Sequence, residues 1–257
     1  MRVHDATVVV TGAAGGIGAA LAARFLAEGA RAVVVSDLDA DRVGSVAAAL
    51  GATAHPCDVR DPDAVAELVG VTEAAHGPID LFCSNAGVAV PGGPEASDDG
   101  WRLSLDVNVL AHVYAARALV PRMTARGQGY LLQTASAAGL LTQLGSAPYA
   151  VSKHAAVAFA EWLAITYGGQ GLKVSVLAPQ AVRTAMTAGV PGGGVAGVDG
   201  MLEPEVVADA VVHGLDREDF LILPHAQVLE YFRRKASDYD RWIAGMRRLQ
   251  DRYDRPI

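Results

Sequence analysis

The chain is poor in cysteine. Cys57 and Cys83 are the only two among its 257 residues. Two cysteines are too few for a disulfide framework, and neither forms a metal-ligand cluster with the seven scattered histidines. We therefore expect no metal site, and we expect a reducing, cytoplasmic setting.

Positive charge and long apolar runs are also scarce. The net charge is -7, whereas a protein that binds nucleic acid needs clustered positive charge to meet the phosphates. The uncharged run over residues 6–23 approaches the length of a membrane span. It is rich in glycine, however, and it divides into a strand pattern followed by a turn. We expect neither a nucleic-acid partner nor a membrane span.

Short apolar runs alternate with helical patterns along the chain. Strands are predicted over residues 6–11, 32–36, 52–56, 79–84, 130–134, 173–178 and 220–223. This alternation predicts a single α/β domain over residues 1–257, a doubly wound Rossmann-type parallel sheet of about seven strands with helices on both faces. In such a sheet two other strands separate the third and fourth, so Cys57 and Cys83 should not pair.

A glycine-rich turn, TGAAGGIG, follows the first predicted strand and precedes a helical pattern. Gly12, Gly16 and Gly18 would let the backbone approach a ligand, and a helix N-terminus favours an anion. The spacing is G-x-x-x-G-x-G, not the G-x-G-x-x-G of the general dinucleotide fingerprint. We expect a pyrophosphate here, although a similar turn also occurs where a helix packs closely on a strand.

Asp37 ends the second predicted strand, nineteen residues after Gly18. The dinucleotide fold places an acid at about this distance to bind the adenosine ribose hydroxyls. A carboxylate there repels a 2′-phosphate, and no Arg or Lys stands at position 38 or in the glycine turn to receive one. The pattern therefore predicts NAD, with NADP disfavoured. Alternatively, or in addition, Asp37 caps the helix that begins near Asp39.

The stretch over residues 136–153, SAAGLLTQLGSAPYAVSK, combines a hydroxyl, a phenol and an ammonium. Tyr149 and Lys153 are four residues apart and share one face of a predicted helix, with Pro148 in its first turn and Ser146 able to cap it. A phenol titrates near pH ~10, so it acts as a base at neutral pH only if a nearby cation stabilises the phenolate. The alternative is that both residues merely decorate an amphipathic helix.

Two segments near the end of the chain have distinct compositions. Residues 183–203 are glycine-rich with apolar residues between, which predicts either a mobile lid over a substrate or a plain surface loop. Residues 225–257 form a predicted amphipathic C-terminal extension, which would pack on the body or on a neighbouring subunit.

Together these patterns resemble the NAD(P)-dependent short-chain dehydrogenase/reductase family over about 220 residues. The resemblance rests on Thr11-Gly12-x-x-x-Gly16-x-Gly18, Asp58, Asn85-Ala86-Gly87, Asn108, Ser136 and Tyr149-x-x-x-Lys153, in the family's order and at its spacings. These concordant motifs together outweigh the interpretation of Tyr149 and Lys153 as decoration.

The resemblance implies roles for these residues. Tyr149 would transfer the proton of the substrate hydroxyl, and Ser136 would hold the substrate oxygen. Lys153 would bind the nicotinamide ribose and stabilise the phenolate, while Asn108 would bend its helix and hold a water on a proton path to Lys153. The implied cofactor contacts are Gly12, Gly15, Gly16, Ile17, Gly18, Asp37, Leu38, Asp58, Val59, Asn85, Ala86, Gly87, Tyr149, Lys153, Pro179, Val182 and Thr184.

The substrate end departs from the family pattern at one position. The family usually has Pro-Gly after the sixth strand, whereas this chain has Pro179-Gln180, and the glutamine side chain would narrow the pocket or contact the substrate. The expected substrate contacts are Ser136, Leu141, Gln143, Gln180 and Met186, within a mostly apolar wall that also includes Leu140, Leu144, Val190 and Met201. Arg183 is the only evident anchor for an anion, so we expect a lipophilic or cyclic neutral substrate.

The sequence thus predicts an oxidoreductase that interconverts a secondary alcohol and a ketone with NAD. An NADPH-dependent carbonyl reductase is the first alternative. A non-catalytic, dinucleotide-sensing regulatory protein is the second, although such a protein would not need a phenol beside an ammonium. The resemblance further implies a homodimer or homotetramer that associates through residues 105–126 and 149–167.

Overall fold

Seven parallel strands form one sheet in the computed structural model, which describes residues 1–253. The strands are β1 (Thr7–Thr11), β2 (Ala32–Ser36), β3 (Thr53–Ala54), β4 (Leu81–Ser84), β5 (Gly129–Thr134), β6 (Leu172–Leu177) and β7 (Leu221–Ile222). Their order across the sheet is β3-β2-β1-β4-β5-β6-β7. The predicted doubly wound α/β fold is confirmed, and β2 and β1 separate β3 from β4. Cys57 and Cys83 are both buried free thiols.

The central strands are apolar on both faces because helices cover both sides of the sheet. In β1, Val9 packs into one hydrophobic cluster, while Val8 and Val10 pack into the other. Successive side chains of a strand point to opposite faces. A continuous run of valines therefore fills two cores, where an alternating pattern would fill only one.

The helices form the two outer layers. They are α1 (Gly16–Ala27), α2 (Ala40–Leu50), α3 (Pro62–His76), α4 (Asp98–Leu105), α5 (Ala111–Ala125), α6 (Ala138–Leu141), α7 (Ala147–Tyr167), α8 (Pro204–Arg217), α9 (Gln227–Ser237) and α10 (Tyr239–Tyr253). A π-helical turn, Asp106–Leu110, joins α4 to α5. Helix α4 begins where the Ser97 hydroxyl accepts a hydrogen bond from Gly100 N–H.

The C-terminal extension forms two helices, where the sequence pattern indicates one. The break falls at Asp238, whose backbone is extended. In α9, Val228 is fully buried in the core, and the ammonium of Lys235 donates to the carbonyl of Leu140 at 2.7 Å. The extension thus packs on the body of its own chain over its first half. Residues 254–257 of the predicted extension lie outside the described residues.

One helical stretch, Asp98–Ala125, is long and apolar enough by composition to cross a membrane. Half of the apolar window is buried inside the protein, however, and Leu119 and Met123 are fully buried in the core. A core helix passes the same test of length and composition, so this stretch is weak evidence for a membrane span.

The order of the strands positions a cleft. The chain runs outward from β1 to β2 and β3, then returns to the other side of β1 at β4. The loops that follow β1 and β4 therefore leave the sheet in opposite directions, and ligands of open α/β sheets bind in the crevice at this switch point. The glycine turn follows β1, and the Asn85-Ala86-Gly87 segment follows β4.

Candidate active site

A cleft of about 680 Å³ opens at the carboxyl ends of the strands. Every predicted cofactor contact lines it, from the glycine turn to Thr184, and so do Ser136, Tyr149 and Lys153. Asn108 does not line the cleft and is fully buried. Residues far apart in sequence therefore converge on one elongated space, with the glycine turn at one end and the phenol at the other.

The glycine turn leaves no room for a side chain at Gly12 or Gly18. Gly12 has a φ of +66°, and a Cβ atom there would lie 2.7 Å from the Cα of Ala86. A Cβ at Gly18 would lie 2.3 Å from the carbonyl oxygen of Gly12. Helix α1 begins directly after this turn, and neither a side-chain cap nor an acidic residue occupies its N-terminus. Its first N–H groups are thus available to an anion, and the cradle fits the pyrophosphate of a dinucleotide.

Asp37 faces the glycine turn. Its carboxylate accepts a hydrogen bond from the backbone N–H of Ala14 at 3.0 Å. The cap of α2 is Asp39, whose side chain accepts from Arg42 N–H at 3.0 Å. The alternative that Asp37 caps this helix is therefore wrong, and its carboxylate borders the cleft.

Two arginines near this end of the cleft were missed in the sequence. Arg42, in the first turn of α2, reaches back to donate to the carbonyl of Ala14 at 3.3 Å, and it lines the cleft. Arg60 also lines the cleft and pairs with Asp58 through two nitrogens, at 2.9 and 2.6 Å. Its guanidinium lowers the pKa of the Asp58 carboxyl. Neither arginine lies at position 38 or in the glycine turn itself, and Arg42 reaches the turn because α2 folds back over it.

Tyr149 and Lys153 lie one turn apart near the start of α7. The ammonium of Lys153 is 5.7 Å from the centre of the Tyr149 ring and donates to the carbonyl of Thr134 at 2.9 Å. Burial lowers the pKa of Lys153 to about 7. Burial also raises the pKa of Tyr149, and the side chain of Ser136 opposes that rise. The phenol therefore has both a cation and a hydroxyl as neighbours.

Ser146 is the residue before α7, but its hydroxyl does not cap the helix. The Oγ atom donates instead to the carbonyl of Val90 at 2.5 Å. The prediction of a serine cap is therefore wrong, because a partner on the loop after β4 takes the hydroxyl. This contact ties the start of α7 to that loop.

Ser136 is held between two segments. Its hydroxyl donates to the carbonyl of Pro179 at 3.3 Å and accepts from Ala138 N–H at 3.1 Å. The second bond precedes the short helix α6, which the sequence pattern did not indicate. A Cβ at Gly139 in α6 would lie 2.5 Å from the carbonyl oxygen of Lys153, so the glycine lets α6 pack directly on α7.

Asn108 lies in the π-helical turn between α4 and α5. Its amide donates to the carbonyl of Val88 at 2.9 Å and to the hydroxyl of Ser152 at 3.0 Å, while its Oδ1 accepts from Val88 N–H at 3.0 Å. Single turns of π-helix occur often at functional sites. The side chain joins this turn to α7 one residue before Lys153.

His112 is a further buried polar residue near the site that the sequence reasoning missed. It is 1% exposed, and neither ring nitrogen has a hydrogen-bond partner among the described residues. Burial lowers its pKa to about 3, with the charge of Lys153 adding to the effect. It lines a small cavity beneath the cleft together with Thr11 and Ser84. The signal in the sequence that could have indicated His112 is its position four residues after Asn108.

The substrate end differs from the prediction at several positions. Gln143, Gln180, Met186 and Val190 line the cleft. Leu140 and Leu141 instead pack into the hydrophobic core, so the prediction of Leu141 as a substrate contact is wrong. Leu144 and Met201 are also outside the cleft wall. Arg183 turns away to pair with Glu203 at 2.7 Å, which removes the expected anchor for an anion. Among residues 1–253, no group of His, Cys, Asp or Glu is placed to hold a metal ion.

A glycine cradle at a helix N-terminus, an acid after the second strand and a phenol beside a buried ammonium define a dinucleotide-dependent oxidoreductase. Residues 6–192 match the family model described as short chain dehydrogenase, and the chain belongs to this family. It is an oxidoreductase that interconverts an alcohol and a ketone, and its cofactor is a nicotinamide dinucleotide.

Three known proteins illustrate the similarity. The chain is 38% identical over 253 residues to a 1-deoxy-11-beta-hydroxypentalenate dehydrogenase of Streptomyces exfoliatus, covering 95% of this chain and 92% of that one. It is 37% identical over 195 residues to a meso-2,3-butanediol dehydrogenase of Serratia marcescens, covering 74% and 77%. A short chain dehydrogenase/reductase from Burkholderia phymatum, solved in complex with NAD, superposes with a TM-score of 0.85 at 26% identity, covering 93% and 96%.

Proposed function

We propose that this enzyme oxidises a secondary alcohol to a ketone with NAD, using Tyr149 as its proton acceptor. The observation that carries the proposal is the shared cleft. The glycine cradle and the pair of Tyr149 and Lys153 border the same elongated space, so a dinucleotide held at the cradle reaches the phenol. When bound, the nicotinamide ring supplies the hydride acceptor.

The protein supplies orientation and proton transfer. Ser136 donates its hydroxyl hydrogen to the substrate oxygen in place of the Pro179 carbonyl. Tyr149, as the phenolate, accepts the hydroxyl proton while the adjacent carbon gives up its hydride. The ammonium of Lys153 stabilises the phenolate, and the carbonyl of Thr134 fixes its position. Asn108 supports this arrangement from behind through Ser152, and a water held there would extend the proton path.

The preference for NAD follows from Asp37. A 2′-phosphate on the adenosine ribose would meet its carboxylate at the glycine turn, whereas two ribose hydroxyls can donate to it. Arg42 is the observation that favours the alternative, an NADPH-dependent carbonyl reductase. Its guanidinium lies beside the same turn and would attract a phosphate. Asp37 stands where the dinucleotide fold places the acid that binds the ribose hydroxyls, so we favour NAD.

Fluorescence titration with NADH and NADPH tests the cofactor, and a screen of cyclic, aromatic and long-chain secondary alcohols with NAD tests the reaction. Tighter binding of NADH, with at least one alcohol oxidised, is expected. Tighter binding of NADPH would favour the reductase. Tight binding without turnover of any alcohol would favour the dinucleotide-sensing protein, which the intact Ser136, Tyr149 and Lys153 argue against.

The substrate end of the cleft favours a lipophilic or cyclic neutral substrate. Val88, Ala89, Met186 and Val190 supply apolar walls there. The charged residues of the cleft wall other than Lys153 are Asp37, Arg42, Asp58 and Arg60, all near the glycine turn. An anionic substrate would find only Lys153 as a cation, and the catalytic arrangement already uses that residue.

We further propose that residues 183–203 act as the lid. A bridge between Val182 and Leu202 joins the two ends of the segment, so it leaves and returns at one place. Gly192, Gly193 and Gly194 all have positive φ angles, which an ordinary side chain would oppose. Asp199 accepts a hydrogen bond from Tyr231 of α9 at 3.0 Å, which fastens the lid to the C-terminal extension.

A second copy of this chain is the proposed partner. Helix α7 exposes an apolar stripe at helical spacing, formed by Val151, Ala158, Trp162 and Ile165. Of these, Ile165 is 83% exposed. Exposure of such an apolar stripe to water is unfavourable in a monomer. Light scattering should give the molar mass of a dimer or tetramer, and Trp162→Glu should lower that mass towards the mass of the monomer. The cytoplasmic setting expected from the free cysteines stays a prediction that cell fractionation would check.

A further inference from the structure

Gln180 stands at the substrate end of the cleft, directly after Pro179. The carbonyl of Pro179 accepts a hydrogen bond from the Ser136 hydroxyl at 3.3 Å. Gln180 therefore follows the residue that contacts Ser136, the residue proposed to hold the reacting oxygen. Its side chain lines the cleft wall. A substituent on the substrate close to the reacting carbon would therefore meet this amide.

The side-chain amide of Gln180 makes no hydrogen bond to residues 1–253. Its Oε1 atom is buried and has no hydrogen-bond partner among residues 1–253. A buried carbonyl oxygen without a donor is unfavourable, and most such atoms in folded proteins have a partner. A donor brought by a ligand would remove this cost once the amide turns its oxygen towards the cleft.

The backbone of Gln180 is clamped. Its N–H donates to Nδ1 of His225 at 3.2 Å, and His225 is 4% exposed. Because Nδ1 accepts, the neutral ring carries its hydrogen on Nε2. Burial lowers the pKa of His225, which favours this neutral form. His225, in the segment between β7 and α9, therefore fixes where the glutamine backbone sits, while no hydrogen bond from residues 1–253 holds the side-chain amide.

Arg183, three residues after Gln180, offers no charge to an anionic partner. Arg183 pairs with Glu203, outside the cleft wall. A hydroxyl suits the amide best, because it can donate to Oε1 and accept from the NH₂ group at once. An ether oxygen could only accept, and a methylene could do neither.

We propose that Gln180 forms a subsite for a second, non-reacting hydroxyl of the substrate. The enzyme then acts on neutral cyclic or lipophilic diols in preference to simple secondary alcohols. The proposal rests on the alcohol oxidation proposed above and specifies its substrate class.

Steady-state kinetics on three neutral probes tests this: a vicinal cyclohexanediol, its monomethyl ether and cyclohexanol. Wild-type kcat/KM should favour the diol over both others by at least about tenfold. In Gln180→Leu the ratio of diol to cyclohexanol should fall to near one. Gln170→Leu is the matched control, since Gln170 is exposed on the turn after α7, and it should keep the wild-type ratio.

A binding readout accompanies the kinetics. With NADH present, the diol should raise the melting midpoint of the wild type more than cyclohexanol does, and Gln180→Leu should lose this difference. If Gln180→Leu does not fold, Gln180→Met replaces it, because methionine keeps the length of the side chain without the amide.

These experiments separate a failure of the proposed oxidation from a failure of the proposed subsite. If no alcohol is oxidised, the proposed function itself is wrong. If alcohols are oxidised but the diol has no advantage, or Gln180→Leu keeps that advantage, the subsite is wrong while the oxidation stands. If Gln143→Leu alone removes the advantage, the second hydroxyl binds at Gln143, and the assignment to Gln180 is overturned.

Discussion

The ammonium of Lys153 lies 5.7 Å from the centre of the Tyr149 ring and is fastened to the carbonyl of Thr134 at 2.9 Å. This places a buried cation, 2% exposed, beside a phenol that borders the cleft. Burial lowers the pKa of Lys153 to about 7, so its charge is costly in the folded protein without a ligand. A phenolate next to it, or ribose hydroxyls around it, would offset part of that cost.

The buried ammonium gives a pH dependence of stability. The pKa of Lys153 falls from 10.5 to about 7 on folding, so the unfolded chain binds more protons within this window. Stability of the protein without cofactor should therefore rise with pH between those values, by at most about 1.4 kcal/mol per pH unit from this residue. Lys153→Met should lose that rise. Denaturant unfolding of both proteins at several pH values measures the difference, and parallel curves would contradict the assigned burial.

Asp37 should set the cofactor preference. Asp37→Ala removes the acceptor for ribose hydroxyls and the repulsion of a 2′-phosphate, so the ratio of NADPH to NADH affinity should rise at least about tenfold. Adding Arg42→Ala should then weaken NADPH again, because the guanidinium beside the glycine turn is gone. Fluorescence titration of the two variants gives both ratios. An unchanged ratio in Asp37→Ala would mean that the adenosine ribose binds elsewhere.

Gly12→Ala should weaken dinucleotide binding at least about tenfold. The new Cβ would lie 2.7 Å from the Cα of Ala86, and the φ of +66° is unfavourable for alanine. Gly44→Ala in α2 is the matched control, since a Cβ there meets nothing within 4 Å. NADH titration of both should separate them. Equal affinities would show that the turn tolerates the shift and does not cradle the ligand closely.

Tyr231→Phe should loosen the lid, because it deletes the donor to Asp199. We expect faster hydrogen exchange within residues 183–203 and a KM raised several-fold. Tyr239→Phe serves as the control, since Tyr239 is 56% exposed on α10. Exchange that is unchanged in Tyr231→Phe would mean that this contact does not fasten the segment.

The sequence predicted the sheet and the cleft because both depend on local patterns. Each central strand is a run of apolar residues buried on both faces, and the glycine turn, Asp37 and the Asn85-Ala86-Gly87 segment each directly follow a strand. The carboxyl ends of parallel strands meet at one edge, so the motifs converge without any knowledge of packing. The strand order, the glycine cradle and the placement of Asp37 follow from this.

The details that were missed depend on packing over long distances. Arg42 borders the glycine turn only because α2 folds back over it, and Arg183 leaves the cleft because Glu203 takes its guanidinium. Leu141 belongs to the core because the short helix α6 turns it inward. Ser146 gives its hydroxyl to Val90, a partner 56 residues away. These contacts depend on residues that are distant in the sequence, and the spacing of residues along the chain does not reveal them.

The most direct measurement is turnover and NADH binding of Tyr149→Phe, on the first alcohol that the wild type oxidises. Loss of the phenol oxygen should lower kcat about 100- to 10,000-fold and leave NADH affinity within about twofold, because general acid–base catalysis contributes that much. Tyr167→Phe, at the far end of α7, should behave as the wild type. A Tyr149→Phe enzyme that keeps turnover within a few-fold of the control would contradict the assignment of Tyr149 as the proton acceptor.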